Sequence, residues 1–346
     1  MQKEIVFSLV TTVLNDVKGT EVFLERMAEQ TVQPDEIVIV DGGSTDGTWE
    51  LLQHASQSSS SGIPILVHQE PGCNVARGRD LAIEQSRGRN IVSTDVGCEW
   101  DREWFAELIE PIKNDPQIDV VVGSWAVRVE DAKSPWALVE FARRWPFRLE
   151  AAPESLSINR AIVYKRHVWK EVGGYPQDLT LAADDVVFDM LIRKPEFGFR
   201  FAAAPKVRCY WERHEKLKQF CKEERRNFYG AGEAQIWGRH FILVGGRMLA
   251  EVLLLAIGVL TLLFSQHIAI GVVLIGLCGV SIGLRIRNLW PAVKRLRSLS
   301  VGFPLLRTIW FEYCTKAWGL WGYAKGWLNG ASQCGQTRER LWGGRV

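Results

Sequence analysis

Glu36-Ile-Val-Ile-Val-Asp-Gly-Gly-Ser-Thr-Asp-Gly-Thr48 decides how this chain folds. Ile37 to Val40 is an unbroken apolar, β-branched run, the pattern of a strand buried on both faces. It stops at Asp41, and Gly42-Gly43 permits a turn that side chains would forbid. Ser44, Thr45 and Asp46 offer helix caps before Thr48-Trp49-Glu50-Leu51-Leu52. An acid therefore stands at the carboxyl end of a parallel strand, where open α/β sheets hold their ligands. Alone, the same residues also describe a plain strand–turn–helix corner with a capping Asp.

The flanking segments repeat the alternation. Ile5–Val10 reads as a first strand, Thr11–Asn15 as the loop after it and Gly19–Gln30 as an amphipathic helix. Ile63–His68 is a third strand and Cys73–Arg87 a helix opened by Pro71-Gly72. Asn90–Asp95 is a fourth strand ending in another acid, Asp101 caps a helix through Ile112, and Ile118–Ser124 is a fifth strand. Strands alternating with helices imply a mostly parallel sheet covered on both faces. Two acids, Asp41 and Asp95, then each end a different strand, and since strand ends in such a sheet lie side by side they could converge on one ligand. Between them Arg77 and Arg79 are either a fork for a diphosphate or a solvated helix face.

These stretches carry a family likeness. Val40-Asp-Gly-Gly-Ser-Thr-Asp-Gly-Thr48, Gly72-Cys-Asn-Val-Ala-Arg-Gly-Arg79 and Ser93-Thr-Asp-Val-Gly-Cys98 resemble the successive motifs of glycosyltransferase family 2, inverting enzymes of the Rossmann-like GT-A fold that use sugar nucleotides. The resemblance covers residues 4 to about 240 in order. It implies that Thr11 and Asn15 border the nucleotide, that Asp41 accepts a hydrogen bond from the base, and that Asp95 holds the ribose or the metal shell. Arg77 and Arg79 would complete the donor side. The Gly-Gly-Tyr-Pro turn at Gly173–Pro176 resembles the one leading to the family's catalytic acid, which places Asp185 as general base with Asp184 beside it. Arg225, Arg226 and Tyr229 resemble the basic-aromatic segment near the leaving diphosphate or acceptor.

One departure bears on the cofactor. The family's acid-x-acid motif for a divalent cation (Mg or Mn) is here Asp95-Val96-Gly97, so the second carboxylate is absent. A hard cation needs several oxygen ligands. Asp95 remains as a ligand and His214 is a lesser candidate, though it also reads as a surface histidine beside Arg213.

Further on, Pro135–Leu149 is aromatic and basic, either a helix and loop bordering the acceptor cleft or a covering helix. Ile158–Tyr164 reads as a strand and residues 199–211 as two short ones. Asp184-Asp185 would cap a helix whose Val187, Met190 and Leu191 face the core, and Arg213–Trp237 reads as a charged helix.

Composition separates the two ends. Residues 285–346 hold eleven Lys or Arg against two acids, a net +9, so with +2 overall the first 284 residues carry −7. Six of the fifteen Trp lie in this basic tail, as suits a lipid–water boundary. The seven scattered cysteines, without a C-x-x-C, argue against a disulfide framework or a zinc site and for a reducing compartment. The Met1 end runs into a strand with no signal-peptide pattern.

Met248–Phe264 and Ile268–Leu284 are apolar runs of 17 residues each. That is the short end of the roughly 17–25 residues that cross a bilayer. A buried soluble hairpin has the same composition. Arg247 sits one turn before Glu251, the one charge inside these runs. Arg239, Arg247, Arg285, Arg287, Lys294, Arg295 and Arg297 flank the pair, while the connecting Ser265-Gln-His267 carries no Lys or Arg. The positive-inside rule then puts the catalytic domain in the cytoplasm of a multi-pass inner-membrane protein. The expected organisation is a catalytic domain over 1–240, a transmembrane hairpin over 241–286 and a basic, Trp-rich, Gly-broken interfacial segment over 287–346.

The expected function is transfer of a sugar from a nucleotide sugar to a lipid-linked or cell-surface polysaccharide acceptor at the membrane. The alternatives are a polyprenyl-phosphate sugar synthase and a sugar-nucleotide-binding or scaffold protein with a degenerate metal site. Nucleic acid is not an expected partner, because the body is acidic and the basic stretch adjoins apolar spans.

Overall fold

A computed structural model describes residues 6–58, 62–144, 151–156, 160–211 and 213–343. Outside them lie the strand start at Ile5, residues 145–149 of the aromatic and basic stretch, and the start of the strand expected from Ile158. The chain divides into two compact units. The first joins Met1–Arg128, Pro146–Glu212 and Gly330–Val346, and the second joins Val129–Trp145 and Arg213–Asn329.

The first unit is built on an eight-stranded sheet. Its strands are β1 (Phe7–Val13), β2 (Glu36–Asp41), β3 (Ile65–Gln69), β4 (Asn90–Ser93), β5 (Cys98–Trp100), β6 (Val120–Ala126), β7 (Ile162–Lys165) and β8 (Phe201–Trp211), in the order β3-β2-β1-β4-β7-β6-β8-β5. β1 to β4 pair in parallel, as does β6 with β8; β7 runs antiparallel to both its neighbours and β5 antiparallel to β8. The mostly parallel α/β sheet expected from the alternation is therefore present. Crossovers are made by α1 (Val17–Ala28), α2 (Thr48–Ser58), α3 (Val75–Gln85) and α4 (Trp104–Asn114). Phe7, Phe23, Trp100, Trp104 and Phe105 pack in edge and tilted contacts beneath the sheet. Every residue of β2 is buried, as its continuous apolar run requires.

Several boundaries moved for physical reasons. β1 runs on through Val13, so Thr11 is a strand residue, because Thr11, Thr12 and Val13 complete the ladder to Ile39, Val40 and Asp41. α4 is entered through Glu103 without a side-chain cap; Asp101 contributes its carbonyl, which accepts from the Trp104 N–H. Residues 201–211 form one strand interrupted by an irregularity against Val122–Ser124, instead of two. In α7 (Asp184–Ile192) the cap position is Ala183, so the acids open the first turn without capping it. Met190 is half-buried there, and Phe188, Asp189 and Ile192 join Val187 and Leu191 inside.

The second unit is helical: α5 (Pro135–Arg144), α8 (Leu217–Glu233), α9 (Gly238–Phe264), α10 (Ile268–Ser298) and α11 (Pro304–Gln333). α9 and α10 are long and apolar enough to cross a membrane, and only 11% and 17% of their apolar windows are buried inside the protein. Glu251 is compensated on every side. It accepts from Arg247 (3.1 Å), Ser281 (2.7 Å), Arg285 (3.1 Å) and Tyr313 (2.7 Å). Most of the expected Gly-broken stretch is instead helical: its start belongs to α10, and Pro304–Gln333 is the unbroken helix α11, three of whose glycines, Gly319, Gly322 and Gly326, serve as contact points. A Cβ on Gly322 would stand 2.2 Å from the Arg225 carbonyl oxygen, and one on Gly326 2.0 Å from that of Tyr229. α8 thus packs on α11 backbone to backbone, within the second unit.

Gly326→Val should force these helices apart and cost at least about 2 kcal/mol. Thermal melting of the full chain in detergent would show it as a lower transition.

Candidate active site

Asp41 ends β2 and is wholly buried. Its Oδ1 accepts from the Gly43 and Ser44 N–H groups and from Gln69 Nε2, each at 2.9 Å. Its Oδ2 is buried without a hydrogen-bond partner, as are Thr11 Oγ1 and Ser93 Oγ. An orphaned carboxylate oxygen is costly and points to a donor that arrives with a ligand. Gly43 makes the turn possible: its φ is +98°, and a Cβ there would lie 2.9 Å from Pro71 Cα. Asn15, itself at φ +52°, ties the loops together by accepting from the Thr45 N–H at 2.8 Å and donating its own N–H to Ser44 Oγ at 2.8 Å.

Beside this turn is a cleft of about 330 Å³, lined by Thr12, Val13 and Leu14 from β1, Gly42, Cys73–Ala76 from the start of α3, and Leu179–Ala182 with Asp184. Thr11 is buried in the strand, and its neighbours Thr12 to Leu14 face the opening in its place.

The two arginines of α3 separate, because residues two apart on a helix point to opposite sides. Arg77 is held on the surface by Glu70 at 3.0 Å and Glu84 at 3.4 Å, the solvated-face reading. Arg79 is 5% exposed. It donates to Asp95 at 2.7 Å and to the Asp184 carboxylate, and it lies 5.8 Å from the Tyr175 ring centre. Burial opposes its charge, but Asp184 and Asp95 outweigh that and raise its pKa. Arg160, just ahead of β7, stands 3.5 Å from the other Asp95 oxygen.

Asp185 completes the group. Burial first, then the neighbouring Asp184, push its carboxyl up to about 6, against the pull of Arg79 and Arg160. Ala183 holds a left-handed conformation (φ +72°) just before the two acids, a local strain of order 1 kcal/mol that sharp turns at working sites often carry. The structure thus brings together Arg79, Asp95, Asp184 and Asp185, which are more than a hundred residues apart in sequence at the extremes.

Two residues of this arrangement were not singled out in the sequence. Arg160 had no motif around it. Asp80 looked like one more polar residue on a helix, yet its carboxylate accepts from Trp169 Nε1 (2.6 Å), the Tyr175 N–H (3.0 Å) and Gln177 Nε2 (2.6 Å), fixing the Gly-Gly-Tyr-Pro turn. A third support comes from α12 (Gly335–Trp342). Arg340 donates to the carbonyls of Val172 and Gly174, and Thr337 donates its N–H to Asp178 at 3.0 Å. Asp178 directly precedes the Leu179–Ala182 wall of the cleft.

Arg225, Arg226, Tyr229 and His214 lie in the other unit. Arg225 stacks over Trp321 at 4.8 Å, Arg226 is exposed, and the Tyr229 hydroxyl accepts from Asn329 at 2.7 Å. His214 faces Glu223 at 3.5 Å and the edge of Phe220. Among the described residues no group of three or more His, Cys, Asp or Glu could hold a metal ion. Asp95 is already engaged by two guanidinium groups, and Gly97 supplies no second acid. The side chains present do not by themselves make a divalent-cation site.

Arg79→Leu would leave Asp95, Asp184 and Asp185 facing one another without their shared cation. The expected loss is about 3–5 kcal/mol, measurable as a shift of the thermal or denaturant midpoint.

Comparison with known proteins agrees with the arrangement. Residues 8–166 match the sequence profile "Glycosyl transferase family 2". Glycosyltransferase AglE of Haloferax volcanii is 22% identical over 232 residues, 66% of this chain and 73% of that protein. An undecaprenyl-phosphate 4-deoxy-4-formamido-L-arabinose transferase of Pseudomonas aeruginosa is 35% identical over 118 residues, 33% of this chain, which spans only 30% of that relative. Among solved structures, the mannosyltransferase PcManGT from Pyrobaculum calidifontis, in complex with GDP-Man and Mn2+, superposes with a TM-score of 0.50 at 17% identity, covering 99% of this chain and 89% of that one. That likeness speaks for the fold, and the expected GT-A sheet domain stands.

Proposed function

Since residues 8–166 are a glycosyl transferase family 2 domain and the chain is a glycosyltransferase, we propose that it transfers a sugar with inversion from a nucleotide sugar to a lipid-linked or polysaccharide acceptor at a membrane. The binding-only alternative falls away with the enzyme assignment. The observation that carries the reading is Asp185, a carboxyl raised to about 6 next to a cleft-lining acid that Arg79 holds in place.

In this mechanism Asp41 receives the base through its unpaired oxygen, with Asn15 shaping the loop around it. The acceptor hydroxyl loses its proton to the Asp185 carboxylate as its oxygen bonds to the anomeric carbon. The bond from that carbon to the diphosphate breaks on the opposite face, and the diphosphate leaves with the electron pair. Asp184 and Arg79 orient Asp185. No step is assigned to a metal, because the side chains of the described residues do not supply a ligand set for one.

The two apolar helices support a membrane setting. α12 belongs to the same unit as the sheet, so the segment between them crosses the bilayer an even number of times. The basic outer flanks favour the cytoplasmic side for that unit. Domain limits at 240 and 286 follow from the same patterning and remain part of this proposal. A polyprenyl-phosphate acceptor is a second reading, favoured by the 35% identity to the undecaprenyl-phosphate transferase. The chemistry separates the two, since a phosphate acceptor already carries its nucleophilic charge and needs no base.

Asp185→Asn should lower kcat by about 10²–10⁴-fold while leaving nucleotide affinity unchanged, as read by nucleoside diphosphate release and by calorimetry. Retained turnover would turn the proposal toward the phosphate acceptor. The base works only when ionised, so wild-type kcat/KM should fall about tenfold per unit as pH drops below about 6 and stay level above it. A thermal-shift screen of sugar nucleotides, with and without manganese, would identify the donor and reveal any metal requirement.

A further inference from the structure

We propose that a basic cavity at the outer end of the α9–α10 hairpin binds the phosphate of a lipid head group. The inference rests on the membrane setting proposed above. It deepens that reading by naming the chemistry the helical unit recognises.

The cavity holds about 350 Å³, and its polar lining is Arg247, Arg285, Asn288, Glu312 and Lys316. Its depth can be placed from the sequence. Arg247 immediately precedes the apolar run 248–264, and Arg285 immediately follows the run 268–284. Both therefore sit where hydrocarbon gives way to head groups. Leu243, Val244 and Leu289 complete the lining, an apolar wall beside the polar groups.

The charges at this level are unbalanced. Of the lining cations Arg247 and Arg285 share Glu251, the lining acid Glu312 is taken by Arg143, and Lys316 feels the charge of Glu224 without pairing with it. Arg285 is 8% exposed and gives Nη2 to Glu251 at 3.1 Å. Its Nη1 is 4.0 Å from Glu312, and its Nε is buried with no partner. Lys316 is half-buried on α11 and makes no hydrogen bond or ion pair with any described residue. A buried guanidinium N–H and an ammonium, both without acceptors, need an anion rich in oxygens. At a bilayer surface that anion is a lipid phosphate. Asn288, exposed at the rim, can add an amide donor. The phosphate has two possible sources, a bulk anionic phospholipid or a polyprenyl carrier.

Native mass spectrometry of the full chain in detergent tests this with undecaprenyl monophosphate, undecaprenol and phosphatidylglycerol as probes. The monophosphate should be retained and undecaprenol lost. Lys316→Gln should weaken retention about tenfold. Asn288→Asp, which sets an acid at an exposed rim position without disturbing the core, should weaken it comparably, and both variants should melt like the wild type. Preference for the monophosphate over phosphatidylglycerol assigns the site to a carrier, and equal retention assigns it to bilayer lipid; either supports a phosphate site. Equal retention of undecaprenol, or monophosphate binding unchanged in both folded variants, overturns it. Binding of sugar nucleotides to the same preparations without lipid, read by thermal shift, tests the transferase reading independently, so failure of one cannot be mistaken for failure of the other.

Discussion

A single guanidinium, that of Arg79, holds the candidate site together. It reaches Asp95 at the end of one strand and Asp184 at the start of a helix, and both of its terminal nitrogens are committed. A buried cation is tolerable only with such partners, and two acids this close together are held by such a cation. The geometry of Asp185 is a by-product of that balance. Its neighbour is neutralised by Arg79 while its own carboxyl has no cation within pairing distance, so burial lifts it toward the range where a base can act near neutral pH.

Much of this was legible in the sequence, and the reason is local. The run Ile37–Val40 followed by Asp-Gly-Gly admits little besides a buried strand and a tight turn, and β2 is buried throughout. Asp95 and the acidic pair at 184–185 could be placed because each ends or begins a periodic segment. What the sequence hid was pairing across distance. Nothing in Arg77-Gly-Arg79 says which arginine turns inward; that depends on where the helix faces the sheet. Arg160 and Asp80 act through partners 65 and 89 or more residues away, with no surrounding motif to mark them. The glycines of α11 misled in the opposite sense. Read as breaks, they are places where two backbones touch, and only the partner helix reveals it.

The helical unit solves a different electrostatic problem. Glu251 lies within an apolar helix, yet four donors from three helices converge on it. The carboxylate thereby ties α9, α10 and α11 to one point, and removing a donor would leave this buried acid short of a partner. Arg285 is shared between this cluster and the neighbouring cavity, so the charge that secures the helices also shapes the surface they present.

The position of α12 has a consequence for the order of assembly. Residues 335–342 leave the ribosome after the helices of the second unit, yet their Thr337 and Arg340 fasten the segment that leads into the wall of the candidate cleft. Until that last segment returns, the carbonyls of Val172 and Gly174 and the carboxylate of Asp178 lack those donors. A nascent chain therefore cannot finish this cleft before its two apolar helices have been made, and the order of synthesis delays a complete site until they exist.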